Sequence, residues 1–242
     1  MGLLERDPLL AQLRDCLAQA RGGRGRLAMV SGEAGIGKTA LVDAFVAGLP
    51  RGTRWLRGAC DPVVPARPFA PVSDMARQLR DGLRSALESE DRDRVIGRFL
   101  DVLREVGSGG VLIFEDLHWA DSATLDLLRV AGRRLPTTPV LVVGTVRGHD
   151  LDAEHPLRLA LGELPPRLVA DLRVPPLSLS AVRSLVAGTG IDPGEVHGAT
   201  GGNPFFVTEV IAAGGREVPP TVRDAVSARV SRLSPEAKRV LR

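Results

Sequence analysis

The chain has 242 residues, 44% of them hydrophobic and 25% charged, with a net charge of +3, which suits one sizeable core or one domain with a smaller appendage and excludes a disordered chain. No apolar run reaches the ~20 residues of a bilayer span, and MGLLERDPLL sets acids and Arg6 where a signal peptide needs an apolar stretch, so a cytoplasmic protein without membrane contact is expected. The cationic residues are nearly all Arg, with only Lys38 and Lys238 as lysines, which reads as a GC-rich coding bias rather than a nucleic-acid footprint.

In chain order, Asp7 and Pro8 read as N-cap and first helical residue, Leu9, Leu10, Leu13 and Leu17 form an apolar stripe, and Gly22-Gly23 closes the helix. Cys16 in this helix and Cys60 further on form no metal or redox spacing and are expected to be reduced and partly buried. The run Leu27 to Val30 is a short buried strand, followed by a glycine loop at 32–37 and a helix from Lys38 to about Gly48. Further strands are expected at 54–58, 111–114, 140–143 and about 168–174, with helices near 72–87, 91–106, 121–135 and 155–163. Alternating strands and helices imply a parallel sheet covered on both faces. From about Pro175 the strand runs stop, and short helices at 178–187, 193–199, 204–213 and 219–231 follow, so a boundary is expected near 174. A last piece from Ser234 starts like a capped helix and ends inside the element.

Gly32-Glu33-Ala34-Gly35-Ile36-Gly37-Lys38-Thr39 fits the P-loop pattern G-x-x-x-x-G-K-[ST] and sits directly after a strand and at the opening of a helix. Composition alone would produce roughly 0.002 such matches in a chain of this length, before that context is required. Glycines let backbone N–H groups converge on a phosphate, and the helix N-terminus adds partial positive charge. Lys38 would reach the β- and γ-oxygens of ATP, and the Thr39 hydroxyl would ligate Mg²⁺.

Val111 to Phe114 followed by Glu115 and Asp116 has the form of a Walker B strand, whose carboxylates suit a hard divalent cation. Glu115 is expected nearest the metal, and Asp116 nearest the water that attacks the γ-phosphate. His118 and Trp119 are expected to pack locally under the next helix. The following strand runs into Gly144-Thr145-Val146-Arg147, and ligands of open α/β sheets bind at strand C-termini, which puts Thr145 and Arg147 beside the phosphates with Arg147 as a γ-phosphate sensor. Gly201-Gly202-Asn203-Pro204-Phe205-Phe206 opens a helix with Asn203 as cap and Pro204 first.

GEAGIGKT at 32–39, EDLHWAD at 115–121, T-x-R at 145–147, GGNPFF at 201–206 and PPTVRDAV at 219–226 together resemble the large ATP-binding regulators of the LuxR family. Those belong to the STAND class of signal-transduction ATPases, related to AAA+ proteins and origin-recognition-like AAA modules. The resemblance runs along nearly the whole chain. It implies an AAA+-like α/β P-loop NTPase core at 1–174, a small all-α lid at 175–232, and the start of a winged-helix domain at 233–242. It also implies that Gly202 and Pro204 contact the adenine side, and that Arg6 and Asp7 carry over from a G-R-E or G-R-D signature whose glycine is here Glu5. Longer family members add helical repeats and a DNA-binding helix-turn-helix, neither of which follows in this sequence, so it resembles a truncated product.

The function so implied is an ATP switch using ATP/ADP and Mg²⁺, capable of a nucleotide-dependent oligomer, and the order Glu115-Asp116, the reverse of the Asp-Glu order common in fast AAA+ motors, predicts slow hydrolysis. The alternative is a P-loop kinase acting on a small molecule, which would need an arginine-rich mobile lid where this chain has GGNPFF. A nucleic-acid role for segment 216–242 is not expected, because Val222, Val226, Val230 and Leu233 make an apolar helix face and leave the arginines as its solvated side.

Overall fold

The computed structural model describes residues 3–62, 67–79, 82–148, 151 and 153–214. Five parallel strands form one sheet in the order β2-β3-β4-β1-β5, with β1 Arg26–Gly32, β2 Trp55–Ala59, β3 Gly110–Glu115, β4 Val140–Arg147 and β5 Val169–Arg173. All six residues of β3 are buried, as expected of a strand covered on both faces. Leu112 and Phe114 face one core with Leu27, Met29, Val140 and Val142, and the Phe99 ring meets Phe114 edge-on at 6.1 Å between centroids. Phe99 belongs to helix α5 at Arg92–Glu105, whose N-cap Asp91 accepts from the amides of Asp93 and Arg94.

Helix α1 at Asp7–Arg21 and helix α2 at Lys38–Ala47 pack beside β1. The first of them starts one residue earlier than expected: Arg6 is the N-cap and Asp7 the first helical residue. The expected helix at 72–87 is two helices, α3 at Ala70–Arg77 and α4 at Leu83–Glu88, with Gly82 as the N-cap of the second. Helix α6 at Ser122–Arg134 is capped by Asp121, and α7 at Pro156–Gly162 by His155. Strand β4 runs on to Arg147, so Thr145 and Arg147 lie on the strand rather than beyond it.

The chain divides into two compact units. The first comprises most of the sequence from Arg6 to Val174 and contains the whole sheet. Among the described residues, the second takes in 3–5, Gly35–Gly37 and 175–214. Its helices are α8 Leu179–Leu185, α9 Pro193–Thr200 and α10 Pro204–Ala212, around a core of Leu177, Val182, Val186, Val196, Val207 and Val210. The expected helix at 219–231 and the segment 233–242 lie outside the described residues. Among the described residues no helix is long and apolar enough to cross a membrane.

Candidate functional site

The strand order sets β1 beside β4, and β4 beside β3, so three strand C-termini lie side by side. Val30 pairs with Thr145 and Gly32 with Arg147 across β1 and β4. Phe114 pairs with Gly144 across β3 and β4, so Glu115 and Thr145 follow next along their strands. Sequence separations of 30 and more residues are thereby reduced to hydrogen-bond distance.

In the loop between β1 and α2, Gly35 and Gly37 hold φ of 76° and 97°, which a side chain would strain. Ile36 between them is buried, which anchors the loop. Lys38 opens α2, is 8% exposed, and donates from Nζ to the carbonyls of Gly32 at 3.0 Å and Glu33 at 2.8 Å. The ammonium thus lies inside the curl of the loop, and Ala34 and Thr39 lie on its exposed side.

Glu115 ends β3 and is 7% exposed. Its Oε2 accepts from Thr145 Oγ1 at 2.8 Å and lies 3.5 Å from Thr39 Oγ1. Its Oε1 accepts from Arg57 Nη2 at 2.6 Å. Arg57 was missed in the sequence, where it is one arginine among many in a short strand. Its second arm donates to Asp43 of α2 at 2.6 Å. Burial opposes the guanidinium's charge, but the hydrogen bond to Asp43 and the charge of Glu115 outweigh it and hold the Arg57 pKa above its ordinary value.

Asp116 leaves the strand. It sits at φ 52°, ψ 44°, the left-handed region that Asp tolerates better than most residues, and its side chain is 44% exposed. The two acids therefore do not form a pair at one strand tip: the strand ends on Glu115, and the turn sends Asp116 towards solvent. The Asp116 amide donates to Thr145 Oγ1 at 2.9 Å. His118 Nδ1 lies 3.8 Å from Asp116 Oδ1 with the ring buried, as expected of local packing. Trp119, expected to pack in the same way, is 42% exposed instead, because the short 3-10 turn at Leu117–Trp119 buries its first two residues only.

Arg147 is half-buried at the end of β4, in register with the first P-loop residue, and Arg6 is buried at the N-cap of α1. In the second unit, Asn203 caps α10 by accepting from the Phe205 amide at 3.1 Å, and Pro204 is the first helical residue. Gly202 has φ 73°, accepts from the Leu177 amide at 2.8 Å, and has no room for a Cβ, which would fall 2.1 Å from Leu177 O. Within the same unit Phe205 N–H donates to Gly35 O at 3.3 Å.

The donor set fits a nucleotide phosphate with a hard divalent cation. It offers one hydroxyl and one carboxylate oxygen 3.5 Å apart, and an ammonium held on the carbonyls of the loop that precedes them. Among the described residues there is no cluster of three or more His, Cys, Asp or Glu, and Mg²⁺ commonly takes one or two protein oxygens and completes its shell with phosphates and water.

Comparison with known proteins agrees. The model of the AAA ATPase domain family matches residues 2–143. An uncharacterized protein of Rhizobium meliloti (strain 1021) is 29% identical over 268 residues, covering 88% of this chain and 25% of that protein. Among solved structures, the Cdc6p of Pyrobaculum aerophilum superposes with a TM-score of 0.53 at 18% identity, over 76% of this chain and 49% of that one. A Signal Transduction ATPase with Numerous Domains (STAND) protein with a tetratricopeptide repeat sensor from Pyrococcus horikoshii superposes with a TM-score of 0.50 at 17% identity, over 94% of this chain and 33% of that one. The chain thus spans a quarter to about half of the length of these relatives.

Proposed function

We propose a function from one premise: the chain belongs to the AAA ATPase domain family. It is the ATP-binding, slowly hydrolysing switch module of a STAND-type signal-transduction ATPase of the LuxR-regulator kind, working in the cytoplasm. The observation that carries this reading is the meeting of Thr39, Glu115 and Thr145 at the strand ends beside the P-loop lysine.

Lys38 holds the β- and γ-phosphate oxygens, and the loop amides and the start of α2 complete the anion site. Thr39 and Glu115 are the residues that would hold Mg²⁺, whose chemistry is to neutralise charge on the phosphates. Thr145 orients the Glu115 carboxylate through its hydroxyl. Asp116 orients the water that attacks the γ-phosphorus, giving ADP and phosphate. Arg147 senses the γ-phosphate, while Arg6, Gly202 and Pro204 serve the adenine side. Segment 175–232 is the lid domain whose state answers to the nucleotide. In a longer parent, winged-helix, helical-repeat and DNA-binding domains would read that state, with a nucleotide-dependent oligomer as one form of output.

Thermal shift with Mg-ATP tests the reading. At a hundredfold excess over Kd the parent gains about 2.7 kcal/mol, and Lys38→Ala should lose most of that gain. Equal stabilisation of parent and variant by ATP would refute the assignment of the P-loop.

A further inference from the structure

We propose that Arg57 is a built-in counter-ion of the Walker B carboxylate, a positioning residue that orients Glu115 and lowers the affinity of the site for divalent metal. Arg57 pairs with Ile113 across β2 and β3, and Ala59 with Glu115. Side chains two residues apart share a sheet face, so Arg57 reaches along β3 to its terminal acid. The guanidinium fork spans two elements, with Nη2 on Glu115 Oε1 and Nη1 on Asp43 Oδ1, both at 2.6 Å. Such a planar two-armed donor matches two carboxylates in a way that a lysine cannot.

The two oxygens of Glu115 are thereby given different duties. Oε1 is taken by Arg57, and the other, Oε2, is turned to Thr145 and Thr39, the side on which a metal would bind. The Glu115 side chain is 9% exposed and that of Arg57 29%, so the attraction between them is only partly screened. Metal affinity follows the negative charge of the ligand set. A fixed positive charge on Glu115 opposes a second cation there, while Asp43 draws part of that charge away.

This inference rests on Thr39 and Glu115 being the metal seat, and its test separates the two. Binding of a fluorescent ADP analogue by the full chain is titrated with MgCl₂ for the parent, Arg57→Gln, Arg57→Lys and Arg57→Gln combined with Glu115→Gln. In Arg57→Gln the Mg²⁺ midpoint should fall about tenfold while metal-free binding of the analogue changes less than about twofold. Arg57→Lys keeps the charge and should stay within about threefold of the parent. In the Glu115→Gln background the Arg57 substitution should move the midpoint by less than about twofold, because its effect passes through that carboxylate.

A parent that depends on Mg²⁺ together with an unmoved midpoint in Arg57→Gln overturns the proposal and leaves the metal seat standing, as would an equally large fall in Arg57→Lys. A parent that binds the analogue identically with and without Mg²⁺ overturns the seat and the proposal together. Should Arg57→Gln lose the cooperative unfolding transition, Asp43→Asn takes its place. It releases Arg57 to Glu115 alone and should raise the midpoint about threefold, a shift that should vanish in the Glu115→Gln background because it passes through that carboxylate. An unmoved midpoint there also overturns the proposal.

Discussion

Thr145 Oγ1 donates to Glu115 Oε2 at 2.8 Å, joining the ends of two adjacent strands through buried side chains. The same hydroxyl accepts from the Asp116 amide at 2.9 Å, so one oxygen fixes both acids. Thr145→Val keeps the shape and removes the hydrogen bonds. Leaving a buried carboxylate oxygen and an amide short of a partner should cost about 1–3 kcal/mol of stability. Chemical denaturation measures this, and a loss below about 0.5 kcal/mol would mean that the contact carries little of the site's order.

The two acids should separate by function. Glu115→Gln should weaken Mg²⁺-dependent ATP binding. Asp116→Asn should bind Mg-ATP normally and hydrolyse it more slowly than an already slow parent. A glutamate at position 116 would extend about 1.5 Å further, and misplacement by about 1 Å can cost on the order of 100-fold in rate. Single-turnover hydrolysis with labelled ATP checks both, and a parent turning over many ATP per second, or Asp116→Asn at the parental rate, would remove Asp116 from the mechanism.

Arg147 at the end of β4 and Pro204 at the start of α10 should discriminate nucleotides differently. Arg147→Ala should weaken ATP selectively, by about tenfold for one lost charge-assisted contact, and leave ADP within about twofold. Pro204→Ala should weaken ATP and ADP alike. Calorimetric titration with both nucleotides decides the matter. Equal losses in Arg147→Ala would exclude a γ-phosphate sensor.

Cys60 offers a pH test. Its amide donates to Glu115 O at 3.0 Å, and burial, followed by the charges of Asp121, Asp116, Asp61 and Asp74, pushes the thiol up from 9.0 to about 12. A proton held more tightly in the folded state contributes stability that is fully present below the unfolded value of 9.0 and is lost as pH rises towards about 12. The parent should therefore lose more stability than Cys60→Ala between about pH 8 and about pH 11. Urea midpoints at the two pH values measure the difference, and parallel slopes in parent and variant would show that the thiol is not the group responsible.

The sequence by itself determined the P-loop, because its chemistry is local: strand, glycine turn, lysine and helix start lie within a single contiguous run. It determined equally that alternating strands and helices build a parallel sheet, since an apolar run such as Val111 to Phe114 must be covered on both faces. The divided helix at 70–88 escaped it, because an apolar stripe runs on from one half into the other. Nor could periodicity place Asp116 off the strand, since the left-handed turn is one residue long.

Only the tertiary structure decided which side chains meet. Arg57 and Glu115 are 58 residues apart, and Thr145 and Glu115 are 30 apart. Whether they touch depends on β3 lying between β2 and β4, and on a register in which Ala59 faces Glu115 and Gly144 faces Phe114. A shift of one residue would turn each side chain to the opposite face of the sheet. Strand order and register are set by packing over the entire core, which is why a lone arginine in a five-residue strand carried no local mark of its partner.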